Sequence, residues 1–553
     1  MAEIISLGLV IPFLAALTSP DVLFTYALVQ DYAARFDITS PDELIAPLAI
    51  MFVVAAVLSG MTRLSLLWIS TILSNITGAD LSVEIYRRTL HQSYQVHVSR
   101  NSSEILSGIT LKTAGVVSAV LMQILMFISS TVLIVAILGA LLFISPFITL
   151  LAFGVLGASY GAFTFLIRNK LLENSYSIAS AQTNVIKTIQ EGLGGIRDII
   201  LDGAQPVYLE SYSKSENKLR MSLATNTVIS STPRFALEAL AMALIAALAL
   251  YFSKDGEMSK SIPILGALAL GAQRLLPMLQ QAYAAWAKIQ GARASLVDTL
   301  ELLDQQVTVL SSNYNPKPIN FSDSIRLDNV NFRYSPDTSL VINDISLTIK
   351  KGDRVGFVGG TGCGKSTLTD VIMGLLYPVS GSLCIDGNPI NEYNRQAWQK
   401  TVAHVPQSVY LSDNTLAENI AFGIENKDID ISRVKKAAKS AQINDFIETL
   451  PKGYGSNVGE RGVRLSGGQC QRIGIARALY KNASVLIFDE ATSALDTKTE
   501  MAVMDSINAL DHNLTILIIA HRLSKVQKCD VIFEIEQGKI VGKGSYNELI
   551  EKS

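Results

Sequence analysis

The chain has 553 residues, a net charge of −2, and hydrophobic side chains at nearly half its positions. That length is too great for one ordinary core and calls for two or more domains. The near-balanced charge gives no reason to expect nucleic acid as a main partner. Four cysteines, Cys363, Cys384, Cys470 and Cys529, lack metal-type or CxxC spacing, which argues against a zinc site or a disulfide framework.

Up to about residue 300 the chain carries long apolar runs with few charges; after Pro316 it reads as a soluble α/β protein. A helix needs roughly 20 apolar residues to span a bilayer. Residues 44–73 supply one span. Residues 113–168 are too long for one and break at Ser145 and Pro146, so they read as two. Residues 232–252 and 262–286 supply two more. The short run 4–17 reads as the tail of a further span, giving six. It covers about half a bilayer, so a preceding N-terminal piece is expected. No signal peptide with a small-residue cleavage site is evident at the start.

Basic residues set the orientation. Segment 76–112 carries Arg87, Arg88, Arg100 and Lys112, and segment 168–231 carries seven more lysines and arginines. The opposite loops are acidic or mixed. Both long basic loops are therefore expected on the cytosolic side, and an even number of spans puts the soluble half there too, where cysteines stay reduced.

Three arginines, Arg63, Arg234 and Arg274, lie in or beside apolar runs. A charge at membrane depth is costly and points to a polar pathway or ligand site. Snorkelling to the interface is the competing reading. Glu238 follows Arg234 by four residues, so that pair can also satisfy itself on one helix face.

In the soluble half, residues 354–358 read as a buried strand. Gly359, Gly360, Thr361, Gly362, Cys363, Gly364, Lys365, Ser366 and Thr367 follow, and then an apolar helix. This is GxxxxGK[ST] in its required strand–loop–helix setting. Its backbone N–H groups and the helix N-terminus suit phosphate. Lys365 is placed to reach the terminal phosphates, and the Ser366 hydroxyl to hold Mg²⁺. Residues 485–488 form an apolar strand that ends in Asp489 and Glu490. Asp489 is placed to hold Mg²⁺, and Glu490 to act as general base toward water.

Further along the chain, Ser466, Gly467, Gly468 and Gln469 open a helix and make a second phosphate grip. Tyr334 is a candidate adenine platform. Gln407 is a candidate ligand for Mg²⁺ or water. His521 is a candidate contact to the γ-phosphate.

The ordered set Tyr334, GGTGCGKST, Gln407, LSGGQ, VLIFDE, Asp496 and His521 resembles the ATP-binding domain of ABC transporters over residues 320–553. The resemblance implies that Tyr334 stacks adenine, Gln407 senses nucleotide, Glu490 is the catalytic base, His521 grips the γ-phosphate and Asp496 links two sites. It also implies that the Lys365 loop of one copy and the Ser466 segment of another clamp one ATP, so the functional unit is a homodimer. The long basic loops would then reach the partner's ATP domain.

Residues 1–312 resemble the membrane domain of half-size exporters, nearest to bacterial flippases of lipid-linked oligosaccharides. The pieces that carry this are Ile11-Pro12-Phe13, Thr62-Arg63-Leu64, Pro233-Arg234-Phe235 with Glu238, and Gln273-Arg274-Leu275-Leu276-Pro277. The expected fold is therefore an all-α membrane bundle followed by an α/β P-loop ATPase, in a bacterial inner membrane. The expected activity is ATP-driven flipping of an amphipathic substrate, with the three arginines drawing its anionic head group. A lipid A, drug or peptide exporter, or an ATP-gated channel, remains as an alternative.

Overall fold

The computed structural model describes residues 29, 40–144, 146–254, 258–305, 316–490, 497–508, 514–521 and 523–551. The run 4–17 and Asp496 lie outside the described residues. The chain divides into two compact units: residues 1–92 with 100–306, and Ser93–Ser99 with 307–553.

The first unit is helical. Its long helices are Ile45–Leu90, Met122–Ile144, Pro146–Gly194, Gln205–Lys254 and Met258–Gly291, and the shorter Arg293–Leu303 closes it. One helix ends at Ile144 and the next begins at Pro146, where the apolar run was expected to break. A proline lacks the N–H that would continue the first helix and is at home in the first turn of the second.

Ile45–Leu90 turns Ser59, Ser70, Ser74 and Gly78 inward and exposes Leu64, Trp68 and Leu73. Small residues inside and large apolar ones outside are the membrane pattern, because lipid replaces water around the bundle. Among the described residues, Ile45–Leu90 and Ser102–Gly139 are long and apolar enough to cross a membrane. Between Ser107 and Met122 the helix widens into two π-helical turns, Gly108–Lys112 and Val117–Leu121.

The second unit holds two sheets. Four strands run β1 (Ser324–Phe332), β2 (Ile342–Lys350), β4 (Ser380–Ile385) and β5 (Asn388–Pro389), antiparallel in the order β2-β1-β4-β5. The other six are β3 (Arg354–Val358), β6 (Val402–Val405), β7 (Val485–Asp489), β8 (Thr515–Ala520), β9 (Val531–Glu536) and β10 (Lys539–Gly544), in the order β10-β9-β3-β8-β7-β6. All neighbours in that sheet are parallel except β9 with β10.

β3, β7 and β8 lie side by side and bury nearly every residue, as both faces of a parallel sheet require. Phe357 and Phe533 stack across the centre with ring centroids 5.8 Å apart. The loops after β3, β7 and β8 leave from the carboxyl ends of adjacent strands, where ligands of open α/β sheets bind. Those loops carry Lys365, Glu490 and His521.

Candidate functional site

Backbone geometry explains the glycines after β3. Gly359, Gly362 and Gly364 have φ of +154°, +80° and +103°. A Cβ on Gly359 would sit 2.2 Å from the Ile535 carbonyl oxygen, so no other residue fits. A Cβ on Gly360 or Gly362 would meet nothing within 4 Å, so the loop leaves open space beside its backbone. A phosphate chain fits that space and would find N–H groups at its edge.

Lys365 is buried, and its Nζ donates to the carbonyls of Gly359 and Gly360, each at 2.8 Å. Its charge is thus held inside the loop. Ser366 and Thr367 open the helix Lys365–Ile372, and the Thr367 hydroxyl lies 3.0 Å from the Tyr334 hydroxyl. Phe332 packs edge-on against the Tyr334 ring, with centroids 5.1 Å apart.

Glu490 follows β7 with φ +49°, a left-handed conformation that non-glycine residues seldom adopt. Its N–H donates to the Ile519 carbonyl at 3.2 Å, which fixes the turn against β8. Two other candidate site residues meet its carboxylate. Gln407 Nε2 donates to one oxygen at 2.9 Å, and His521 Nε2 contacts the other. Residues 83 and 31 positions away thus converge on one acid.

Asp489 is half-buried beside this cluster, with Asp370 and His404 as charged or titratable neighbours. Burial pushes the His404 imidazole down, so it is neutral near pH 7. No cation pairs with Asp489 among the described residues. A half-buried carboxylate at a strand tip suits a hard divalent cation.

Ser466 caps the helix Gly467–Lys481. Gln469 N donates to Ser466 Oγ at 3.3 Å, and Ser466 N donates to Gln469 Oε1 at 2.8 Å. This reciprocal capping box contributes about 1 kcal/mol and holds Gly467 and Gly468 at a helix start. Ser466 and Gly467 are exposed.

The sequence reading missed two features. Arg477, on the helix that Ser466 starts, donates from Nε to the Asn419 carbonyl at 2.9 Å and from NH1 to the Tyr410 carbonyl at 3.0 Å. Its guanidinium also lies 4.5 Å from the Phe422 ring centroid. It therefore ties the Ser466 helix to the loop that follows Gln407, and no local sequence signal marks it. The second feature is the short helix Tyr94–Ser99, from which Gln95 Nε2 donates to the Tyr334 carbonyl at 3.3 Å. The resemblance put both long loops on a partner's ATP domain. The tip of the first, Ser93–Ser99, groups with the nucleotide-binding unit of its own chain.

In the membrane unit the described residues show the surroundings of two of the three arginines. Arg63 is exposed on Ile45–Leu90. Arg234 Nε pairs with Glu238 at 3.0 Å, one turn along the same helix, and Gln280 Nε2 donates to that carboxylate at 3.3 Å. The side chain of Arg274 lies outside the described residues.

A strand–glycine loop–helix with a buried lysine, beside an acid gripped by a glutamine and a histidine, defines a P-loop nucleotide-binding protein; the helical unit makes it a membrane-borne one. Comparison with known proteins narrows this. The family described as ABC transporter matches residues 342–493, and the ABC transporter transmembrane region matches residues 5–268. An ATP-dependent lipid A-core flippase of Saccharophagus degradans is 32% identical over 480 residues, covering 86% of this chain and 80% of the flippase. One from Shewanella frigidimarina is 30% identical and covers 94% of this chain and 86% of its own. A bacterial Atm1-family ABC exporter with ATP bound superposes with a TM-score of 0.80 at 25% identity, over 99% of this chain and 95% of the exporter.

The chain belongs to the ABC transporters, in the half-size exporter arrangement that fuses a membrane region to one ATPase domain. It binds ATP and couples ATP hydrolysis to transport across a membrane.

Proposed function

We propose that the protein flips a lipid-linked saccharide across a bacterial inner membrane, as a homodimer with two shared ATP sites. The cytosolic side carries the ATP domains and the basic loops. The names of the relatives support the substrate class, since lipid A-core is a glycolipid. Lipid-linked oligosaccharide precursors share that chemistry, with a polar saccharide joined to a hydrocarbon anchor.

The observation that carries the ATPase half is the convergence of Gln407 and His521 on Glu490. The Lys365 loop binds the phosphate chain, with Gly359, Gly360, Thr361, Gly362, Cys363, Gly364 and Thr367 shaping the backbone around it. The exposed face of Tyr334 takes the adenine. Ser466, Gly467, Gly468 and Gln469 of one copy close over the ATP held by the other. Asp496 would link these two sites.

Ser366, Gln407 and Asp489 would hold Mg²⁺, which would neutralise charge on the terminal phosphates. Glu490 takes a proton from the attacking water. Gln407 and His521 aim its two oxygens until ATP arrives, and His521 then turns to the γ-phosphate. ATP binds the closed dimer more tightly than the open one, so binding shifts the transporter between its two accessibilities and hydrolysis resets it. Arg63, Arg234 and Arg274 are candidates for the anionic part of the head group. The Glu238 contact leaves Arg234 with less charge to offer than the sequence alone suggested.

Proteoliposomes test both halves together. The wild type is expected to move a fluorescent lipid A-core analogue with ATP and to hydrolyse faster when it is present. Glu490→Gln is expected to bind ATP normally and lose roughly 10²–10⁴-fold in turnover, the usual worth of a general base. Retained hydrolysis in that variant removes the assignment of Glu490. Stimulation by drugs but by no glycolipid removes the substrate class.

A further inference from the structure

Three helical stretches of the membrane unit turn small or polar faces toward one another. They are Ser102–Ser107 with the π-helical turn Gly108–Lys112, the long helix Pro146–Gly194, and Arg293–Leu303. Together they surround a cavity of about 530 Å³. Glu104, Gly108 and Lys112 recur every four residues on the first; Tyr176, Ser180 and Asn184 do so on the second. Large apolar side chains at these positions would have filled the space.

The floor of the cavity is buried, and it is polar. Lys112 is 7% exposed and donates to Asp298 at 2.5 Å, which neutralises it. Gln305 is also 7% exposed, and neither its Nε2 nor its Oε1 has a hydrogen-bond partner among the described residues. An unmet buried amide costs the full desolvation of both groups, so such a group persists where a ligand uses it. The π-helical turn sits against this floor, and such turns are frequent at functional sites.

The chemistry of the lining selects the ligand. Glu104, Asp298 and Glu301 outnumber Arg100 and Lys112, so a phosphate is repelled. An amide offers a donor and an acceptor side by side, which a hydroxyl answers with an acceptor and a donor. Ser180 and Asn184 offer the same pairing along one wall. Tyr176 is exposed at the mouth and presents a ring to the apolar face of a sugar. We propose that this cavity is a saccharide subsite, binding hydroxyls of the transported lipid's head group apart from its phosphates. The proposal rests on the glycolipid reading above and adds a second contact region to it.

Titration of the full-length, detergent-solubilised protein with core oligosaccharide released from lipid A-core by mild acid tests it. Wild type is expected to bind this lipid-free probe, and inorganic pyrophosphate is expected not to displace it. Gln305→Leu keeps the volume and deletes both polar atoms. It should weaken binding at least tenfold while raising the melting temperature of the ligand-free protein, a combination that a structural role for Gln305 would not give. Ser180→Trp, at the exposed mouth, should block binding without a change in melting.

Equal affinity in all three proteins overturns the proposal. So does displacement by pyrophosphate, which would mark an anion site. A wild type that flips the glycolipid yet does not bind the probe also overturns it and leaves the substrate reading standing. A wild type that flips no glycolipid overturns the substrate reading and this proposal with it.

Discussion

Asp370 lies on the helix that Lys365 begins, four residues past Ser366, and no hydrogen bond or ion pair reaches its carboxylate among the described residues. Burial, helped by the charge of Asp489, pushes its pKa up to about 6. The sign follows from proton binding. The folded state holds this proton more tightly than the unfolded chain, so the charged form costs stability. That cost is absent below the ordinary carboxylate range and fully present above about pH 6. Asp370→Asn is therefore expected to raise the melting temperature of nucleotide-free protein at pH 7.5, with the gain shrinking steadily toward pH 4. A gain that stays constant with pH would mean that the carboxylate is not the cause.

Among the elements, the Gly467–Lys481 helix shows how the site is held to the rest of the unit. Gly474 sits on its buried face against Val409, two residues past Gln407. A Cβ at Gly474 would lie 2.6 Å and 3.1 Å from the two Val409 methyls. Val409 is β-branched and stiff, so it cannot swing away. Gly474→Val should cost about 1–3 kcal/mol by overpacking and displace Gln407 from Glu490. Adding Val409→Ala should restore much of both stability and ATPase rate, since the two residues share one clash. Thermal melting of the single and double variants decides it; equal losses in both would place the damage elsewhere.

This contact also shows where sequence reading stops. The Lys365 loop was legible because its demands are local: positive φ at fixed spacings requires glycine. The helix break before Pro146 and the cap at Ser466 were legible for the same reason. The order of motifs placed Gln407, Glu490 and His521 in one site, but not the contacts of Gln407 and His521 with the Glu490 carboxylate, because the β-sheet brings those distant loops together. Lys112 with Asp298, 186 residues apart, and the π-helical turns beneath them carried no signal. Such pairs depend on helix register, which a single chain read in one dimension does not display.

For the whole molecule, the decisive question is why one nucleotide should need two grips. The loop at Lys365 and the cap at Ser466 each present N–H groups to an anion, yet each has only one side of a phosphate to offer. If ATP is shared between copies, every site takes its lysine from one chain and its serine from the other. Lys365→Ala and Ser466→Ala should then each abolish hydrolysis in homodimers. A dimer built from one of each holds one site with both defects and one with neither. Random assembly from equal amounts makes half the dimers mixed, each with one of two sites intact, so about a quarter of wild-type activity should return. Co-expression with two tags and sequential purification would isolate the mixed dimer, in which about half the activity is expected. A mixture no more active than its two parents would show that each chain holds its ATP alone.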